Sequence, residues 1–309
     1  MKRFFVKLIL IVVPFVLLLF VLNSAYKKSF YWKARREQSK FLYVPDNIQL
    51  ANIGSSQGIC SFNYEDISDY KCFNFAVTWQ HNRYNYYVLK QYVNKFAPEA
   101  VLLIPISYFD ITRIEKDVYE RYYGILDRVN FPEWDFKEHL QREVFPFFST
   151  KEVWKRLRMT EQNSPLLVPP RVPIPEEELQ MQAQGTFFTW TEATEAEQGE
   201  KGFEYNIKML SSIIELCREH KIIPVLVSTP QIDELNILYT QTDFFDTFYR
   251  FTDELKNKYP GLLYLDYSHN KEYSADSSLF GDVAHLNVYG AKEFTSQIVL
   301  DLKNAGLLR

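Results

Sequence analysis

A doubly wound α/β fold, a three-layer α/β/α sandwich around a parallel sheet, is predicted by three features of the sequence. Short apolar runs alternate with longer segments of helical spacing. One run, Ala100 to Ile106, is apolar without a break, the pattern of a strand covered on both faces. The alternation stops near residue 111 and resumes after residue 204, as expected of one sheet carrying a long insertion.

The elements follow in order. Lys2, Arg3 and Lys7 precede an uncharged run from Leu8 to Leu22, and Lys27 and Lys28 restore polarity. Counted from Phe4 to Ala25, the stretch is long enough to span a bilayer. Signal cleavage prefers small residues at two positions with one between, which Asn23 and Ala25 fit poorly, so residues 1–28 read as a retained single-pass anchor. Charges flank both ends and do not set its orientation. A long domain translocates largely regardless of them, and the expectation is a domain outside the cell membrane. Residues 29–47 form a polar stalk and residues 48–309 the domain.

Within the domain, Ile48 to Ile53 reads as a strand ended by Gly54-Ser55-Ser56-Gln57-Gly58, and Cys72 to Val77 as a second strand. Trp79 to Phe96 has helical spacing, with Pro98 as a stop. Residues 111–204 make an insertion rich in aromatics and charges, too long for an ordinary connection, with Thr186 to Gly202 as its mobile part. Tyr205 to His220 is then helix, Ile222 to Val227 strand, Asp243 to Tyr259 helix, Leu262 to Leu265 strand, and Val288 to Asn304 the closing helix. Ligands of such a sheet bind beyond the carboxyl ends of its strands.

Composition narrows the chemistry. The 309 residues carry 35 Lys and Arg against 39 Asp and Glu, a net charge of −4, which argues against a nucleic-acid partner. Hydrophobic residues make up 47%, enough for a substantial core. Only 10 glycines are present and no G-x-G-x-x-G or Walker motif occurs, so a phosphate cradle is not expected. Three cysteines without C-x-x-C spacing read as buried thiols, and five histidines without H-x-x-x-H or H-E-x-x-H spacing give no metal site.

Two short motifs stand out. Asp282 lies three residues before His285, just ahead of the last helix, and Gly54-Ser55-Ser56 follows the first strand. Each has an ordinary reading, a loop histidine and a serine-rich turn. A parallel sheet nevertheless brings both loops to the same end. There Ser56 would be the nucleophile, His285 the base that takes its proton, and Asp282 the carboxylate that fixes the imidazole tautomer. The G-x-S-x-G elbow of α/β-hydrolases is absent.

Asn52-Ile53-Gly54-Ser55-Ser56 and Asp282-x-x-His285-Leu286-Asn287 resemble the first and last sequence blocks of the SGNH (GDSL-type) hydrolase superfamily, whose fold is flavodoxin-like. The resemblance covers about residues 48–110 and 205–305. Ser55 replaces the usual aspartate of the first block, a variant similar to anchored members that act on cell-envelope polymers, such as the D-alanine transfer protein of teichoic acid and the alginate acetylation proteins. Those members pair with multi-span membrane-bound O-acyltransferases.

Asn74 to Trp79 occupies the second-block place, so the resemblance assigns the amides of Ser56 and Trp79 to the oxyanion hole. Ser107-Tyr108-Phe109-Asp110 occupies the third, where Phe109 replaces an asparagine donor. Loss of one oxyanion donor costs on the order of 100-fold in rate. That favours acyl transfer, in particular acetyl transfer, to hydroxyls of an extracellular or cell-wall polysaccharide over free hydrolysis. The alternatives are an esterase or deacetylase on the same polymer, and a non-catalytic glycan-binding or scaffold subunit of an O-acyltransferase complex. No cofactor is implied. Tyr122, Tyr123 and Trp190 of the insertion, with Trp134, are candidate sugar contacts, and Asp110 a further substrate-side candidate. Tyr84, Tyr86, Tyr87 and Tyr92 read as helix packing.

Overall fold

A computed structural model describes residues 2–34, 39–108, 110–114, 119–148, 153–160, 174–195 and 199–308. The chain forms two compact units, Met1–Tyr43 with Tyr119–Leu167, and Val44–Val118 with Val168–Arg309. The sequence insertion at 111–204 is therefore shared between them instead of forming one block.

The larger unit is built on a five-stranded, wholly parallel sheet in the order β2-β1-β3-β4-β5. Its strands are β1 (Ile48–Asn52), β2 (Cys72–Asn74), β3 (Phe96–Pro105), β4 (Ile223–Ser228) and β5 (Leu263–Asp266). In β3 every residue from Ala100 to Pro105 is buried, and β4 is buried from Pro224 onward, as helices on both faces require. Helix Asn82–Tyr92 packs on Gly199–Glu219, which also meets Asp243–Lys258, while Ser56–Ser61 packs on Val288–Asn304. The order in which successive strands are laid across the sheet reverses between β1 and β3, so the crevice at their carboxyl ends is the switch point of the sheet.

Several expected elements are shifted. The helix expected from Trp79 to Phe96 is shorter, Asn82–Tyr92 followed by a 3₁₀ turn, because Phe96 already pairs with Ile48. Pro98, read as a helix stop, lies inside β3 where the ladder is irregular and a missing N–H is tolerated. Thr186 to Gly202, expected to be mobile, is helical over its described residues, in Leu179–Glu195 and Gly199–Glu219. The first of these helices is held against Asp233–Thr240, an element the sequence reading did not find; Ala183 is buried, and the Phe187 ring meets Tyr239 with centroids 5.4 Å apart. A two-stranded antiparallel ribbon, β6 (Phe280–Asp282) and β7 (His285–Leu286), was likewise unforeseen.

In the smaller unit, Lys2–Lys27 is one 26-residue helix, about 39 Å long and apolar enough to cross a membrane from Ile9 to Lys27. Of the expected stalk, Phe30–Ala34 is helical and Lys40–Tyr43 forms a 3₁₀ turn. Phe136–His139 starts a helix that widens into a π turn at Leu140–Val144 and tightens again at Pro146–Phe148. Asn23, buried, donates to the Val144 carbonyl at 2.9 Å and accepts from the Phe147 amide at 3.3 Å, tying this segment to the long helix.

Candidate active site

The turn after β1 has to be tight, and its residues supply the means. Gly54 has φ +123°, a region closed to most side chains, and a Cβ there would meet the Pro105 ring at 3.1 Å. Its amide donates to Asn85 Oδ1 at 2.8 Å and its carbonyl accepts from Val77 at 3.1 Å, so the turn is clamped to the second-block loop. Ser56 then opens the short helix Ser56–Ser61 and is half-buried. That helix sits close to the sheet because residue 58 is glycine: a Cβ there would stand 2.7 Å from both Ala76 Cβ and the Ile53 carbonyl. Two buried or half-buried amides grip its other end. Asn52 and Asn74 both donate to the Gly58 carbonyl, at 3.0 and 2.9 Å, and Asn52 also donates to Asn74 Oδ1 at 3.0 Å.

Asp282 and His285 face each other across the β6–β7 turn. Asp282 Oδ1 accepts from the Ala284 amide at 2.9 Å, a local turn that aspartate favours, and its two oxygens lie 2.9 and 3.0 Å from His285 Nδ1. Burial raises the Asp282 carboxyl, but the His285 hydrogen bond and charge, with the Ala284 and His285 amides, outweigh it and leave the group below its ordinary value. An ionised Asp282 at this distance selects the tautomer with hydrogen on Nδ1, leaving a lone pair on Nε2. That Nε2 is buried and has no hydrogen-bond partner among the described residues. Asn287 secures the turn from the other side, capping the last helix through the Tyr289 and Gly290 amides at 3.0 Å and donating to the Ser278 carbonyl at 2.7 Å.

Gln57 links the two motifs. It is buried; its amide nitrogen donates to the Ala284 carbonyl at 2.9 Å, and its oxygen accepts from Thr229 Oγ1, just past β4, at 2.9 Å. The residue after Ser56 is thereby bonded to the residue before His285, and helix Ser56–Ser61 packs directly on β7. The structure brings Asp282 and His285 into contact and carries the Ser56 and His285 segments together; no hydrogen bond between Ser56 and His285 is formed among the described residues.

The other candidates fare differently. Trp79 has φ +59°, a left-handed conformation rare for a bulky residue. Its ring is 46% exposed, with the Arg113 guanidinium 5.2 Å from its centre. Asp110 accepts from Ser107 Oγ at 2.7 Å; burial pushes its carboxyl up to about 6, against the Ser107 bond and the Arg113 charge. Phe109 lies outside the described residues. Tyr122 and Tyr123 are corrected: they are 0% and 6% exposed and pack on Phe131, so they form the core of the smaller unit and offer no open face to a sugar. Trp134 is half-buried beneath Arg128, and Trp190 half-buried on helix Leu179–Glu195. Among the described residues no group of three or more His, Cys, Asp or Glu side chains could share a metal ion.

A cleft of about 780 Å³ opens between helix Ser56–Ser61 and the start of the last helix, lined by Ile59, Phe62, Tyr64, Glu65, Tyr289 and Lys292 among others. Tyr289 is 70% exposed, and Lys292 sits 3.1 Å from both Glu65 and Asp66. Gln57 and Tyr289, and the clamping role of Asn52 and Asn74, are not signalled by the sequence motifs. A polar side chain beside the candidate serine was the one available signal for Gln57.

No protein-family description matches the chain, and no curated protein matches it. Among solved structures, similar chains include a protein provisionally described as a platelet activating factor from Streptococcus pneumonia, at 10% identity and TM-score 0.43, covering 86% of this chain and 91% of that one. A provisionally described acylhydrolase from Bacteroides fragilis matches at 9% identity and TM-score 0.42 over 91% and 99%. A lipase from a goat rumen metagenome matches at 11% and 0.37 over 85% and 99%.

Proposed function

We propose that the protein is a membrane-anchored serine acyltransferase that passes an acyl group, in particular acetyl, to hydroxyls of an extracellular or cell-wall polysaccharide. The observation that carries the reading is the Asp282–His285 pair, whose buried, unpartnered Nε2 lies on the segment that Gln57 ties to Ser56. In the reaction Ser56 Oγ attacks the carbonyl of an acyl donor while His285 Nε2 takes its proton. The amides of Ser56 and Trp79 receive the developing oxyanion, and the donor's leaving group departs with the proton from His285. A sugar hydroxyl then attacks the acyl-serine, giving its proton to His285; the acyl carbon–Oγ bond breaks, and His285 returns that proton to Ser56 Oγ. The cleft beside Ile59, which Ser56 and His285 do not line, would hold a more distant part of the acceptor chain: Tyr289 offers an aromatic face, and the Lys292 ammonium with the Glu65 carboxylate offers a donor and an acceptor to ring hydroxyls. A multi-span O-acyltransferase would serve as the acyl donor's carrier across the membrane.

Labelling with a serine-directed fluorophosphonate tests the chemistry. The full chain should label covalently at Ser56, with labelling abolished in Ser56→Ala and strongly reduced in His285→Ala. A native chain that stays unlabelled returns the site to a glycan-binding or scaffold role. Polymer acetyl content separates the two enzymes: loss of the protein should lower it, and a rise would mean an esterase.

A further inference from the structure

Phe136, Leu140, Val144 and Phe148 recur every fourth residue through the helix, π turn and 3₁₀ turn of the smaller unit, and all four are exposed, at 65, 37, 38 and 47%. The i+5 bond from the Phe145 amide to the Leu140 carbonyl, 2.8 Å, widens the turn so that residues four apart stay on one line. The neighbouring row is polar: Lys137 and Gln141 are exposed, and Arg142 pairs with Glu138 at 2.6 Å. The segment is therefore amphipathic, with its apolar row turned outward, the reverse of a helix packed on a soluble core.

Its position relative to the long N-terminal helix says what covers that row. Asn23 binds the backbone of Val144 and Phe147, the Phe20 and Phe145 rings meet with centroids 5.7 Å apart, and an apolar crevice of about 360 Å³ is walled by Val16, Leu19 and Phe20 on one side and Leu140, Phe145 and Phe148 on the other. Phe20 precedes Lys27, the end of the apolar span, by about 10 Å of helix rise, and Val16 by about 16 Å. In a membrane crossed by that helix, a segment bonded at that level would lie inside the edge of the hydrocarbon, where lipid tails can fill an apolar crevice that offers water few polar partners.

We infer that residues 136–148 form an in-plane membrane element, seated in the same leaflet as the Lys27 end of the N-terminal helix, with Phe136, Leu140, Val144 and Phe148 among the lipid tails. The inference is independent of the role of Ser56. Nitroxide labels test it in the full chain reconstituted into phosphatidylcholine–phosphatidylglycerol vesicles. One label at a time is placed on cysteine at 136, 140, 144 or 148. Cys72, the half-buried thiol, is replaced by serine, and the buried Cys60 and Cys217 are kept. Leu17 on the helix serves as the lipid reference and Lys256 as the water reference. The four labels should collide with oxygen several-fold more, and with a water-soluble nickel chelate several-fold less, than the Lys256 label, at a depth close to that of a label at Phe20. Accessibilities equal to those at Lys256 overturn the inference. So does low access to both reagents, which would mean that a second copy of the chain covers the row.

Discussion

Gln57 holds two strand-end loops with one side chain, and replacing it should separate effects on the site from effects on the fold. Gln57→Leu keeps the volume but leaves the Ala284 carbonyl and the Thr229 hydroxyl buried without their partner, at a cost of about 1–3 kcal/mol each. The urea midpoint should fall. The fluorophosphonate labelling rate of the molecules still folded should drop roughly 10- to 100-fold, because small misplacements of a nucleophile and its base are expensive. A rate unchanged in the folded fraction would show that Gln57 positions nothing. The Asp282–His285 pair was legible in the sequence because both partners sit in one turn, three residues apart. The Gln57 clamp was not, since its partners lie 227 and 172 residues away and only the folded sheet makes them neighbours.

At the scale of elements, helix Ser56–Ser61 depends on how close it lies to the sheet. Gly58→Ala should destabilise the larger unit by about 1–3 kcal/mol, read from the denaturation midpoint, because the new methyl would press on the Ile53 carbonyl, which has no room to move, and on Ala76. A neutral substitution would mean that the helix can lift away. The central strands β3 and β4 were readable as apolar runs because burial on both faces leaves few polar positions, as Ala100 to Pro105 shows. Edges were less readable: Phe96 joins β3 through a ladder with Ile48 that no local pattern announces. Asp233–Thr240 is not announced by its own sequence because its eight residues are stabilised by packing on Leu179–Glu195, whose second half, from Thr186, reads as mobile. Trp79 shows the same gap, since its left-handed backbone is imposed by the loop and not by its own preference.

The molecule as a whole should respond to acid through His81. Burial, with the Arg113 and Arg83 charges, lowers its imidazole to about 4, against an ordinary 6.5. The unfolded chain therefore binds a proton there that the folded chain refuses, and stability is lost as pH falls from about 6.5 toward 4. In His81→Gln the acid-unfolding midpoint should move to lower pH. Asp110 works with the opposite sign: with its carboxyl pushed up to about 6 it takes up its proton more readily in the folded state, so stability is lost as pH rises through about 6, and the neutral isostere in Asp110→Asn should remove that loss and raise stability at pH 7 to 8 while leaving the acid midpoint nearly unchanged. Circular dichroism across a pH series checks both, and a midpoint that stays fixed in His81→Gln would remove that residue from the account.

The order of the sheet also dictates how the chain must be made. β3 is flanked by β1 and β4, yet β4 begins only at Ile223, after the whole stretch 106–222 has been synthesised. Until then one side of the Val101-Leu102-Leu103-Ile104 ladder has no strand to pair with, and its apolar edge is open to any extended chain nearby. A nascent copy thus passes through a long interval in which that edge is exposed to aggregation.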